Sequence, residues 1–163
     1  MAFIVSDANI FIDMLEGEIL NELFLLPYQL IVPDILYYEE LKLLHSDLLS
    51  LGLCLGELHS ETMMEAEHIM AKYPQPSRND CFALLLAKQE DCCLITGDKA
   101  LRKAAESEQI QVFGTLWIVE QLVSSRNLTK EQAVSAYHLM RNQKRRLPWK
   151  TALYRLDHQN LTE

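Results

Sequence analysis

Four acidic residues, Asp7, Glu40, Asp80 and Asp98, stand at positions where a carboxylate could do chemistry. Neither the five histidines nor the four cysteines accompany them at metal-ligand spacing. An all-oxygen donor set of this kind suits Mg2+ or Mn2+ rather than zinc, and Mg2+ needs only one or two direct carboxylates because it keeps several waters. Such an ion polarises a phosphoryl oxygen, lowers the pKa of a bound water and orients it for in-line attack. It also lets acidic side chains face a phosphate. Each acid has a plainer reading. Asp7 and Asp98 precede helical patterns as N-caps do, Asp80 follows Ser77 at capping-box spacing, and Glu40 stands beside Glu39 as one more solvated charge.

The elements that would position these acids are legible in the hydrophobic pattern. Phe3, Ile4 and Val5 read as a strand ending at Ser6-Asp7, after which Ile10, Phe11, Met14 and Leu15 recur at helical spacing. Residues 92–96 read as a strand, Gly97-Asp98 as a turn and residues 99–108 as an amphipathic helix. If the two strands are parallel, Asp7 and Asp98 share the edge where open α/β sheets bind ligands. Asp80 heads a helix over 81–88 that is apolar on nearly every side, so its charge sits where unpaired charge is costly.

Further strands are expected over 28–32, 51–57 and 110–113. Further helices are expected over 19–26 up to Pro27, from 35 behind Asp34, over 60–73 with Ser60 as N-cap, and over 114–123. Thr129 and Gln132 form a capping box for a last helix to about residue 143. This alternation predicts a three-layer α/β/α sandwich with a central, mainly parallel sheet of about five strands, plus a C-terminal helical extension. The expected division is a core over 1–124, with a helix and basic tail over 125–163 packed on the same domain.

At 163 residues and 49% hydrophobic composition the chain can bury a substantial core. Its formal charge of −8 argues against gripping a polyanion by bulk charge, so a nucleic-acid partner needs local cations. Arg141, Lys144, Arg145 and Arg146 beside Trp149 are the one basic concentration, readable as a solvated helix end or as an RNA-backbone contact with a stacking ring. Arg78 and Arg102 lie near two of the acids and suit either a phosphate or those acids. The cysteines read as buried hydrophobes of a reducing compartment. No export signal or membrane-length apolar run is evident, so a cytoplasmic protein without membrane association is expected. Glycine-rich nucleotide loops and a Gly-x-Ser-x-Gly elbow are absent.

Taken together, Val5-Ser-Asp7-Ala-Asn9-Ile-Phe-Ile, Glu40-Leu41, Asn79-Asp80-Cys-Phe-Ala-Leu and Leu94-Ile-Thr96-Gly-Asp98-Lys-Ala-Leu-Arg102 resemble, in order and approximate spacing, the motifs of PIN-domain ribonucleases. VapC-type toxins of toxin and antitoxin pairs are the nearest likeness, over roughly residues 3 to 122. The resemblance implies a Mg2+- or Mn2+-dependent endoribonuclease with Asp7, Glu40, Asp80 and Asp98 as its acidic quartet. Asp7, Asp80 and Asp98 would hold metal, with Asn9 and Thr96 in support. It further implies products with 5′-phosphate and 3′-hydroxyl ends, a small antitoxin partner and a homodimer.

Two details depart from or blur that pattern. Lys99-Ala100 stands where some relatives carry a further acid, and Glu39 competes with Glu40 one step round the helix. The alternatives are a non-catalytic PIN-like module that binds RNA or protein, and a metal-dependent phosphatase, whose Asp-x-Asp signature is missing at Asp7-Ala-Asn9.

Overall fold

Alternating apolar runs and turn residues give five strands, all parallel: β1 (Ala2–Ser6), β2 (Tyr28–Pro33), β3 (Cys54–Gly56), β4 (Cys93–Ile95) and β5 (Val112–Phe113). The computed structural model describes residues 2–159. The strand order is β3-β2-β1-β4-β5, so the chain leaves β1 to one side of it and returns on the other. The crevice at the C-terminal ends of β1 and β4 is therefore the topological switch point, the usual ligand position in such sheets. The architecture is the expected three-layer α/β/α sandwich.

Eleven short to medium helices complete the described chain. α1 (Ala8–Glu16) follows β1, and α2 (Leu20–Leu23) is shorter than expected, its turn relaxing well before Pro27. α3 (Asp34–Leu36) runs into a π-helical turn over Tyr37–Leu41, closed by Lys42 N–H donating to the Tyr37 carbonyl at 2.8 Å. Propensity rules have no signal for such a bulge, yet it re-aims Glu39 and Glu40. α4 (Leu48–Leu51) takes the first residue of the expected third strand and leaves β3 short.

The helix expected over 60–73 is two, α5 (Ser60–Met64) and α6 (Ala66–Lys72), broken at Glu65. Ser60 is inside the first of them, and the N-cap is His59, which makes no side-chain cap bond. α7 (Arg78–Gln89) lies across β1, β2 and β4 with Cys81 to Ala87 all buried, as its all-round apolarity requires. Its start is fixed by the Ser77–Asp80 capping box. α8 (Lys99–Ser107) and α9 (Thr115–Ser124) follow β4 and β5.

α10 (Lys130–Asn142) opens on the Thr129–Gln132 capping box and packs on α1 and α9. Gly17 lies at that contact, where a Cβ would come within 3.3 Å of the Ala136 carbonyl oxygen. The region read as a basic tail instead carries α11 (Trp149–Asp157), which buries Ala152 and Leu156 against α10. Residues 160–163 of the expected C-terminal region lie outside the described residues.

Candidate active site

β1 and β4 end side by side, and the backbone extends their ladder by one bond, Asp7 N–H to the Ile95 carbonyl at 3.2 Å. That register sets Asp7 next to Thr96. The Thr96 hydroxyl donates to Asp7 Oδ2 and accepts from the Asp98 N–H at 3.0 Å, so one side chain ties the two loops together. Asp7 caps α1 by accepting from Ile10 N–H at 3.1 Å, and Asp98 caps α8 by accepting from Leu101 N–H at 2.8 Å. Their cap readings from sequence are thus literally present, and so is that of Asp80, whose Oδ2 accepts from Ser77 N–H at 3.1 Å.

Capping does not explain the electrostatics. Asp7 is 1% exposed, and burial pushes its carboxyl up to about 7, with the charges of Asp80 and Asp13 adding to the rise and the bonds from Thr96 and Ile10 opposing it. Asp80 is also raised, chiefly by burial and further by Asp98 and Glu40. Asp80 therefore lies near enough to feel Asp98 and Glu40, and Asp7 near enough to feel Asp80. Glu40 is exposed on the π turn and accepts from Asn79 Nδ2 at 2.8 Å, whereas Glu39 is taken by Arg78. The arrangement draws Glu40 toward Asp80 and gives Glu39 a partner of its own.

A family model described as a PIN domain matches residues 3–158. The chain belongs to the PIN-domain family. No curated protein matches it. The match runs beyond residue 122 and takes in α10 and α11. PIN domains are typically nucleases and generally use divalent metals.

The donor chemistry of this PIN domain fits a hard cation: a nearly inaccessible carboxyl, held by a hydroxyl and an amide, with further acids close enough to raise its pKa. Among the described residues no three His, Cys, Asp or Glu side chains are grouped as a ready-made cage. An ion there would complete its sphere with water, as Mg2+ ordinarily does. Asp80 Oδ1 and Asp98 Oδ2 accept no hydrogen bond among the described residues.

The other residues singled out from sequence are scattered around this centre. Arg78 pairs with Glu39 and lies over the Phe82 ring at 5.7 Å. Arg102 reaches the Thr96 carbonyl at 3.5 Å and Glu106 at 3.8 Å. Asn9 is exposed and its Oδ1 accepts from Arg145 at 3.4 Å, while Arg141 and Lys144 are solvated. Trp149 is half-buried, edge-on to Tyr137 at 6.2 Å.

Asp13 was missed by sequence reasoning. It is 5% exposed, accepts from the Thr115 hydroxyl at 2.7 Å and from Arg145 Nε at 2.6 Å, and so fastens the C-terminal arm to α1. The available signal was an acid in the middle of the apolar run Ile10-Phe-Ile-Asp13-Met-Leu15.

Proposed function

We propose that this PIN domain is a Mg2+- or Mn2+-dependent endoribonuclease that hydrolyses phosphodiester bonds of single-stranded or structured RNA, leaving 5′-phosphate and 3′-hydroxyl ends. The observation that supports it best is the meeting of Asp7 and Asp98 at the switch-point crevice, tied together through the Thr96 hydroxyl, with Asp80 close enough to raise the Asp7 carboxyl. Asp7, Asp80 and Asp98 would hold the ion, partly through water. When bound, the ion supplies polarisation of the phosphoryl oxygen and acidifies the attacking water.

The chain's own residues do the rest. Thr96 fixes Asp7 relative to Asp98, so both carboxylates are oriented before substrate arrives. Asn79 steers Glu40, whose Oε1 is the oxygen offered to the proton of the attacking water. Burial of Asp7 under α1 and β4 keeps water from that side of the crevice.

A second reading, a non-catalytic module that binds RNA or protein, is favoured by the cap bonds that Asp7, Asp80 and Asp98 all make. Caps alone give no reason for several carboxylates to crowd one crevice. The likeness of four sequence blocks to VapC-type toxins supports the finer proposal of a toxin restrained by a small antitoxin and assembled as a homodimer.

Asp80→Asn tests the enzyme. Its amide oxygen still accepts from Ser77, so folding by circular dichroism is retained, while Mn2+-stimulated cleavage of single-stranded RNA falls about a hundredfold or more. Equal cleavage by wild type and variant, or full cleavage in EDTA, would reject the nuclease. Oligonucleotide binding without turnover would favour the non-catalytic module.

A further inference from the structure

A cleft of about 1200 Å3 opens beside Asp98, between α8 and the arm that leads into α11. One wall carries Lys99 and Arg102, the other Arg146, Trp149 and Arg155. A smaller cleft of about 310 Å3 shares Asp98 and Arg146 with it and reaches Asn9 and Asp13, so the two clefts meet at Asp98, one edge of the acidic crevice.

The cations in it are not equally free. Arg155 donates to Glu120 at 2.7 Å, and Arg102 is shared between Glu106 and the Thr96 carbonyl. Lys99 and Arg146 are exposed, and among the described residues neither has a carboxylate within ion-pair distance. In a chain of net charge −8, positive charge left outside any ion pair on both walls of one concavity attracts an anion. The lining also presents Trp149 and the Phe113–Trp117 stack, with ring centroids 4.3 Å apart. Cations together with aromatic faces suit a single-stranded nucleic acid better than an acidic peptide, because bases stack and carboxylates do not.

Building on the nuclease reading, we infer that this cleft takes the substrate strand on one side of the cleaved bond. Lys99 and Arg146 contact successive phosphates, and the ring of Trp149 offers a face to a base. The C-terminal arm is then half of the substrate channel, with Arg145–Asp13 as the clamp that keeps it in place.

The test uses the full chain in EDTA, which withholds the divalent ion, with a fluorescein-labelled oligouridylate of about 12 nucleotides read by anisotropy over a range of salt concentrations. Lys99→Gln/Arg146→Gln is compared with Lys103→Gln/Arg126→Gln, which removes the same charge from exposed positions outside the cleft. The cleft variant is expected to bind about tenfold more weakly, with the salt slope reduced by about 1.4, or about 0.7 for each phosphate that is no longer neutralised. The control keeps wild-type affinity and slope.

Equal weakening of both variants, no change in either, or no binding by wild type at low salt overturns the channel. If the cleft variant alone binds poorly but no protein cleaves RNA with Mn2+, the channel stands and the nuclease reading fails. If wild type cleaves but the two variants bind alike, the nuclease stands and the channel fails.

Discussion

The two ends of α8 handle negative charge in opposite ways. At its C-terminal end Glu108 faces the unfavourable pole of the helix, yet Tyr73 and Lys72 bond one of its oxygens and Lys88 reaches the other at 3.3 Å. Those partners hold its carboxyl down at about 2. At the N-terminal end Asp98 faces Asp80, with Asp7 beyond Thr96, and Asp7 is pushed up to about 7. The same fold therefore has the means to neutralise a carboxylate and uses them at only one end of this helix. Charge left unsatisfied in the crevice is stability given up where a cation and a phosphate would restore it.

The largest expected effect comes from removing the least satisfied charge. Because the folded carboxyl of Asp7 holds its proton up to about pH 7 and the unfolded one only to about 3.8, the folded chain binds more protons in that window and stability falls as pH rises through it. Asp7→Asn should stabilise the metal-free protein at pH 8 by at most about 4 kcal/mol and give no gain below the unfolded pKa. Urea unfolding in EDTA across that range measures it. Mn2+ should raise the midpoint of wild type and not of the variant. A variant less stable than wild type at pH 8 would place Asp7 with Glu108 as a structural carboxylate.

A smaller effect, of opposite sign, is expected at the other buried acid, Asp13. Asp13 resembles Glu108 in being partnered, and Arg145→Ala removes its cation while leaving the charge in place. The cost should be about 2–3 kcal/mol. Hydrogen exchange should show it first in α11, since Arg145 pins the arm that precedes that helix. Asp13→Asn combined with Arg145→Ala should recover part of the loss, because no uncompensated charge is then buried.

These acids also show how far the sequence could be read. Asp7 and Asp98 were legible because a strand followed by an acid and a helical period is a local pattern, and parallel strands carry both acids to one edge. Asp80 was legible from the apolar helix behind it. The partners were not. Arg145 reaches Asp13 across more than a hundred residues, and Lys72, Tyr73 and Lys88 meet Glu108 only because α6, α7 and α8 pack together. The π turn that separates Glu39 from Glu40 has no propensity signature. The apolar spacing of Trp149, Ala152, Leu153 and Leu156 is helical, but the basic run before it masks the pattern and reads as a solvated tail.

The smallest effect should come from the well-partnered end of α8. Glu108→Gln keeps an acceptor for Tyr73 but loses the ionic part of the Lys72 and Lys88 contacts, both lysines being largely solvated. It should cost about 1–2 kcal/mol at neutral pH. The sign with pH is the reverse of that for Asp7. A carboxyl lowered from 4.5 to about 2 lends its stability above the unfolded value and loses it as pH falls toward 2. Wild type and Glu108→Gln should therefore converge on acidification, whereas wild type and Asp7→Asn converge there from the other side. RNA cleavage by Glu108→Gln should match wild type. If instead cleavage fell with Glu108→Gln while folding held, the two ends of α8 would be coupled, and the division between a structural and a reactive set of carboxylates would not stand.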